Sequence, residues 1–552
     1  MKRLTSMTKL IIFVGTLAAG SILQADTRRN MNGHKWIRAL LVVAIGPSGA
    51  VLVNADEPGS IEYTLTQPGQ VSAAVYDAEE RLVRTLLSGA AQNKGAHRLT
   101  WDGLDRNGRP MPIGNYVWKV LRTPGLRAQY VTSLGINPGS ERYDRWVGNH
   151  GGAASVAVDP SGMYLAAQVT ETAPVLLKQS LDGTSRHWTR SRGDVTLGRY
   201  QGGASLACDG LGRLFMLQQN GYLQVIDAKE GTLLATWDVL PKDLKRKEDG
   251  GPTWFIYQHG DRVAGADMDA RGETIVVSYR DHHRVCWLNP KDGATVAGRQ
   301  GRQPNSSYRS ASTGPLPLVA HSTKDSMILG ASKAEVEVAE PTGVAVGAKG
   351  NVFVISGNRV LRVFPDGRQI PVIENGLTAP RRLAIDPKTG EFLVAERSPG
   401  SQIKRFSPDG ELLATYGRPG GRLQGAYRGE DFRGITDIAP DGQGGFVVAE
   451  LEPAPRRIVH CNRAGQVLSE WFGGQPYYAW GEPDPRNPCR VWFNSGHWLV
   501  LTEIDYASGD WRVLETWHLD QMADGLVESR PGHHGRWWVV YHEDQRYLVS
   551  QG

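Results

Sequence analysis

The feature that most constrains this chain is a pattern that returns along it. An apolar run follows an Asp/Gly-type turn and stops at one polar residue. It reads DPSGMYLAAQ ending at Gln168, DGLGRLFMLQ ending at Gln218, and DARGETIVVS ending at Ser278. It returns as GAKGNVFVIS ending at Ser356, DPKTGEFLVAE at Glu396, DGQGGFVVAE at Glu450 and DPRNPCRVWFN at Asn494. The offset from turn residue to polar stop is nine or ten each time. A fixed internal offset means one supersecondary unit copied many times. The units are strands, so the expected object is an all-β chain containing a β-propeller of about seven blades, with six as the alternative.

Successive stops are 50, 60, 78, 40, 54 and 44 residues apart. A four-stranded blade needs about 40 residues, so the longer intervals carry insertions. The largest, GRQGRQPNSSYRSASTGPLPLVAHSTKDS, is polar, rich in Gly, Ser and Pro, and aperiodic, which reads as a surface loop. A second, LPKDLKRKEDGGPTWFIYQHGDR, carries a charged run that reads as solvated.

The 66 glycines and 31 prolines suit many short strands and turns. The net charge of +5 is small for 552 residues and the basic residues are dispersed, so no nucleic-acid face is expected. Cys208, Cys286 and Cys461 lie in apolar strand-like runs and read as buried thiols; one bridge in an oxidising compartment is left open. The sixteen tryptophans are read first as packing in outer strands and blade interfaces.

The N-terminus has the layout of a secretory leader twice. The first copy ends at Ala25; the second runs from Met31 to Ala55, and Met31 is read as the true start. Residues 1–55 are therefore expected to be removed on export, leaving no stable membrane span and a secreted or periplasmic protein.

Residues 59–123 alternate in the manner of strands, with Val71, Ala73 and Val75 on one face and Leu82-Val83 opening the next strand. The turn WDGLDRNGRP is dense in turn-forming residues. The segment resembles the Ig-like domain of the flagellar hook-capping protein. The resemblance is carried by Val75-Tyr76-Asp77, Val83-Arg84-Thr85-Leu86, Gly95, Trp101-Asp102-Gly103, Asp105, Asn107-Gly108 and Pro112-x-Gly114-x-Tyr116. It implies a small β-sandwich without activity of its own. Asp102, Asp105 and Asn107 lack calcium-loop spacing and read as turn formers.

Residues 126–552 form the expected propeller. After each stop a basic residue precedes an apolar strand (Arg284, Arg359, Lys404, Arg457), followed by a hairpin turn such as Pro365-Asp366-Gly367. PTGVAVGAKGNVFVISGNRVLRVFPDGR and PRRLAIDPKTGEFLVAERSPGSQIKRFSPDGELLATYG resemble NHL repeats; the seventh unit lacks the basic-residue strand. RAQYVTSLGI (127–136) is a candidate to complete the last blade. The tail GRWWVVYHEDQRYLVSQG reads as the start of further strands, so the propeller is read as open to being C-terminally incomplete.

At equivalent strand ends, Gln168, Gln218, Ser278, Ser356, Glu396, Glu450 and Asn494 would ring a central channel. Oxygen-rich rings hold Ca²⁺, and the resemblance of such a ring to gluconolactonase-type channels implies a metal with a carboxylate that activates water. Glu396 and Glu450 are then the candidate catalytic acids, and Glu396, Glu450 and Asn494 the candidate metal ligands. Gln168, Gln218, Ser278, Ser356 and the glycine-flanked His150 are the candidate ligand-binding residues. The plainer reading is favoured: strands end in polar residues because solvent or a turn begins there. No P-loop, G-x-S-x-G or H-E-x-x-H occurs. The leading expectation is an exported binding or scaffold protein engaging a protein or glycan partner. The alternatives are a Ca²⁺-dependent lactonase-type hydrolase, and a carbohydrate role through exposed Trp471, Trp480 and Trp492.

Overall fold

A computed structural model describes residues 44–53, 59–125, 130–135, 147–148, 152–167, 170, 174–196, 202–218, 221–241, 266–293, 335–452, 454–473, 481–495, 498–518 and 537–550. The described chain is all-β: the helical elements are the turn Arg192–Val195 and short 3-10 turns. None is long and apolar enough to cross a membrane. The chain divides into two units, residues 1–129 and 130–552.

The first unit holds β1 (Ala44–Val53), β2 (Gly59–Leu65), β3 (Gly69–Tyr76), β4 (Leu82–Gln92), β5 (Gly95–Trp101) and β6 (Gly114–Thr123). One sheet runs β1-β6-β3-β4 and the other pairs β2 with β5. The expected alternation holds: Val71, Ala73, Val75 and Val83 are buried with Ile61, Tyr63, Trp101 and Tyr116 in one core. Trp101 meets Tyr116 edge-on at 4.8 Å and donates from Nε1 to Leu104 O. In the turn, Asp105 Oδ1 accepts from the N–H of Asn107 and Arg109, and Asp102 Oδ1 from Leu104 N, so these carboxylates shape the backbone. The expected start at 59 moves: β1, inside the stretch read as a second leader, pairs along β6 from Ala44–Arg122 to Val53–Gly114.

In the second unit the copied pattern becomes six four-stranded antiparallel sheets. The first comprises β7 (Ala153–Asp159), β8 (Gly162–Ala167), β9 (Leu176–Gln179) and β10 (Arg186–Arg190). The second comprises β11 (Gly203–Cys208), β12 (Arg213–Gln218), β13 (Tyr222–Asp227) and β14 (Leu233–Asp238). The third comprises β15 (Ala266–Arg271), β16 (Thr274–Tyr279), β17 (Arg284–Leu288) and β18 (Glu335–Glu337). The fourth comprises β19 (Pro341–Val346), β20 (Val352–Ser356), β21 (Arg359–Val363) and β22 (Gln369–Ile373). The fifth comprises β23 (Pro380–Ile385), β24 (Phe392–Glu396), β25 (Ile403–Phe406) and β26 (Leu412–Tyr416). After the short β27 (Gly425–Ala426) comes the sixth: β28 (Ile435–Pro440), β29 (Phe446–Glu450), β30 (Arg457–Cys461) and β31 (Val467–Phe472).

Each sheet is apolar on both faces because each is covered twice. β7 lies against β11, β11 against β15, β15 against β19, β19 against β23, β23 against β28, and β28 against β7. The cores follow the same order. Leu206 and Met216 pack with Tyr164 and Leu176, joining the second sheet to the first. Val447, Ala449 and Ile458 pack with Val156, Met163 and Leu165, joining the sixth to the first. A fully buried Val, Leu, Ile or Phe contributes roughly 1.5–3 kcal/mol, so these interfaces hold the unit together.

Fourth-strand aromatics reinforce them. Trp188 of β10 lies under Gly231 of the second sheet, Trp237 of β14 under Gly293 of the third, and Tyr416 of β26 under Gly465 of the sixth. Trp471 of β31 lies under Gly183 of the first. Packing is thus the role of these tryptophans, as the first reading had it. A Cβ on Gly183 would stand 1.9 Å from Trp471 Nε1, and its φ is +72°. Gly183→Ala therefore adds overpacking to left-handed strain, and should lower stability by about 3 kcal/mol, read as a lower denaturant midpoint. An unchanged midpoint would mean that this interface is loose.

Two expectations need correction. Asp269 is no turn residue: it lies within β15, and the turn falls at Gly272-Glu273, between Arg271 and Thr274. After β16, His282-His283 lie in a tight turn, and His283 Nδ1 accepts from Glu340 N at 3.0 Å. The described part of RAQYVTSLGI, residues 130–135, forms no strand. Its Leu134 packs on a seventh sheet, β27-β35-β34-β33-β32, built with β32 (Gly481–Asp484), β33 (Asn487–Ser495), β34 (Trp498–Ile504) and β35 (Trp511–His518). That sheet packs on Phe472 and does not enter the row of six, because the interface between sixth and first is already filled. β36 (Trp537–His542) and β37 (Gln545–Ser550) form a hairpin whose Val539 packs on Trp492 and Leu499. All four cysteines are free thiols.

Candidate functional site

The candidate acids lie at the ends of second strands, as expected, and each faces cations. Glu396 Oε1 accepts from Thr378 N at 2.6 Å, and Oε2 lies 3.0 Å from Lys404 Nζ. Glu450 is fully enclosed with Arg422 and Arg457. Its Oε2 lies 3.0 Å from Arg422 Nη2 and 2.9 Å from Arg457 Nε, while Oε1 accepts from Arg457 Nη2 and Arg433 N. Burial pushes the Glu450 carboxyl up, but Arg422 and Arg457 outweigh it and hold the group below its usual range. Arg457 also reaches Tyr427 OH and Glu470. The basic residue that opens the third strand thus neutralises the acid that closes the second: Glu450 and Arg457 are directly paired across β29 and β30.

The remaining stops are equally local. Gln218 Oε1 accepts from Gln224 Nε2 at 2.6 Å, Ser356 Oγ donates to Ala339 O at 2.7 Å, and Ser278 Oγ donates to Asp267 O at 3.4 Å. Asn494 is buried on β33, apart from the sheets that carry Glu396 and Glu450. Gln168 and His150 lie outside the described residues, as does Trp480. Trp471 and Trp492, expected to be exposed, are buried: one lies under Gly183, the other in the core of the seventh sheet. Among the described residues no group of three His, Cys, Asp or Glu is placed to hold a metal.

The convergent polar group lies instead on the first strands. Ser155, Ser205, Asp267, Gly343, Arg382 and Asp437 occupy equivalent positions, each four residues before the end of its hairpin arm (Asp159, Asp209, Arg271, Gly347, Asp386, Asp441). Arg382 Nη1 lies 2.9 Å from Asp267 Oδ1, and its Nε lies 3.8 Å from Asp437 Oδ1 and donates to Thr436 O at 2.7 Å. Ser155 Oγ donates to Asp437 Oδ2 at 2.5 Å and accepts from Leu206 N; Ser205 Oγ donates to Asp267 Oδ1 at 2.8 Å. Val156 N and Val344 N donate to Asp437 and Asp267. Gly343 has no side chain because a Cβ there would stand 3.0 Å from Arg381 O of the next first strand. Residues up to 282 positions apart are joined. Reading the second strands for chemistry missed this cluster; the fixed spacing before the turn was the signal that could have found it.

The first unit belongs to a recognisable class: residues 49–125 match the FlgD Ig-like domain. That match includes part of β1. Over 145 residues the chain is 27% identical to the protein named brain tumor of Drosophila melanogaster, which covers 25% of this chain and 13% of that protein. The chain thus spans about an eighth of that relative's length. A crystal structure of a protein of unknown function from Bacteroides caccae aligns at a TM-score of 0.34 and 14% identity, over 56% of this chain and 93% of that one.

Proposed function

We propose that this is an exported binding protein: an Ig-like module followed by a six-bladed propeller of NHL-like repeats that engages a protein or glycan partner through the turns at its rim. The order of packing, in which the sixth sheet meets the first, supports the six-bladed reading. Carrying the functional reading is the engagement of Glu396 by Lys404 and of Glu450 by Arg422 and Arg457. A carboxylate held by buried cations is poorly placed to take a proton from water or to give its oxygens to calcium. The strand ends then serve the interior, and recognition falls to connections, where propellers carry it.

Melting the full chain with and without Ca²⁺ tests this against the hydrolase alternative. A ligand at a hundredfold over its Kd adds about 2.7 kcal/mol to the folded state. The expected result is an unchanged melt, together with retention on an immobilised glycan or protein panel that survives Glu396→Gln. A calcium-dependent rise abolished by Glu396→Gln, with lactone hydrolysis, would replace the binding reading.

A further inference from the structure

The pair Asn-Gly occurs at Asn32, Asn107, Asn220 and Asn375. Asn32 and Asn220 lie outside the described residues. The other two are both exposed, yet the fold treats them differently. Asn107 sits in the tight turn of the first unit. Its own N–H donates to Asp105 Oδ1 at 2.8 Å, and the N–H of Gly108 donates to Asp105 O at 3.0 Å. Asn375 sits in the connection between β22, which ends at Ile373, and β23, which begins at Pro380. Among the described residues, neither the Asn375 side chain nor the Gly376 N–H has a hydrogen-bond partner. Gly376 has a φ of +87°, and a Cβ there would meet nothing closer than Phe406 at 3.8 Å, so the backbone is uncrowded. The Gly376 carbonyl, in contrast, is in use: Lys404 Nζ donates to it at 2.6 Å and lies 3.0 Å from Glu396 Oε2. Two residues on, Thr378 N donates to Glu396 Oε1.

We propose that Asn375 is a modification site, at which the chain converts its own asparagine to aspartate and isoaspartate, and that the change loosens the seat of Lys404 and Glu396. The Gly376 nitrogen attacks Asn375 Cγ. The N–Cγ bond forms, the Cγ–Nδ2 bond breaks, and ammonia leaves with the displaced amide proton, giving a cyclic imide. Water then adds to either carbonyl of the ring and opens it, to aspartate or to isoaspartate. Water is the sole co-reactant. Glycine favours the first step because it has no Cβ to shield the nitrogen. At Asn107 the same step requires the Gly108 N–H to leave Asp105 O, and a hydrogen bond of ordinary net strength slows it about fivefold. The product at Asn375 bears a new negative charge and, in the isoaspartyl form, an added backbone methylene, just before the carbonyl that holds Lys404. That displaces Gly376 O from Lys404 and Thr378 N from Glu396.

The test follows the full wild-type chain, which carries both sites, during storage in mildly alkaline buffer. Peptide mapping by mass spectrometry reads the loss of amide, and enzymatic isoaspartyl methylation reads the isoaspartyl product. Loss at Asn375 should outrun loss at Asn107 by about fivefold or more, and the two rates should converge when the protein is held unfolded in guanidinium. Aged protein should exchange the amides of Thr378 and Arg397 faster than fresh protein, because Thr378 N is bonded to Glu396 and Arg397 N to Ala379 O across this connection. Asn375→Gln should age over the same period without that change. An intact Asn375, a rate no faster than that of Asn107, or a ratio that persists in guanidinium overturns the site. Unchanged exchange at Thr378 in protein fully converted at Asn375 overturns the loosening.

Discussion

Replacing Arg382 by methionine should cost about 3–5 kcal/mol and lower the denaturant midpoint of the second unit sharply. Methionine fills much the same space, so packing loss is small. What remains is Asp267 and Asp437, buried and without their cation. The strands that lose their common partner belong to the third and sixth sheets, and Arg382 itself to the fifth, so the defect should spread through the unit. It should also shrink in acid. Arg382 is the group that holds Asp437 down; without it the carboxyl protonates more readily, and a neutral acid needs no cation. A midpoint shift below about 1 kcal/mol would mean that the cluster is wetter than its burial indicates.

Glu450→Gln should produce a loss of similar size, about 3–5 kcal/mol, for the opposite reason: two enclosed guanidinium groups lose the one carboxylate they share. Glu470 remains beside Arg457, but Arg422 keeps no acid. The segment from Gly417 to Gly434 is fastened in part by this contact, through Arg422, and its Tyr427 N donates to Leu514 O of the seventh sheet. Loosening should therefore reach β27 and β35. The pH dependence follows from the depressed carboxyl, which stabilises above its ordinary value of 4.5 and loses that contribution as pH falls through its folded value. A stable Glu450→Gln that had merely lost hydrolytic activity would point to a catalytic acid instead.

Much of the architecture was legible before any coordinates. The turn-to-stop offset located β8, β12, β20, β24 and β29, because turn chemistry and apolar runs are local properties. The alternation of Val71, Ala73 and Val75 gave the core face of the first unit. The third repeat misled because Asp-Ala-Arg-Gly has the composition of a turn two residues before the real one. The apolar run before Ala55 holds a strand that went unread, because a leader and a strand share a composition; only pairing with β6 reveals β1. A further regularity went unread: Gly183-Trp188, Gly231-Trp237, Gly410-Tyr416 and Gly465-Trp471 are five or six residues apart, each a turn glycine leading to a fourth-strand aromatic. The partners of charges could not be read at all. Nothing local to Ser155 indicates Asp437, and the same Glu at a strand end serves a metal or an arginine depending on what stands opposite.

The contact of Trp471 with Gly183 has a consequence for how such a chain can change. An open stack of sheets has two terminal faces that must be capped by something. Here the sheet that comes sixth along the chain lies against the one that comes first, so each covers a face that the other would leave bare. Gly293, seated over Trp237, and Glu335, tied to Arg284 at 2.8 Å, are each fastened to the sheets themselves. A change in the number of residues between those two fastenings should therefore leave the sheets on either side folded, whereas a change at a fastening should not.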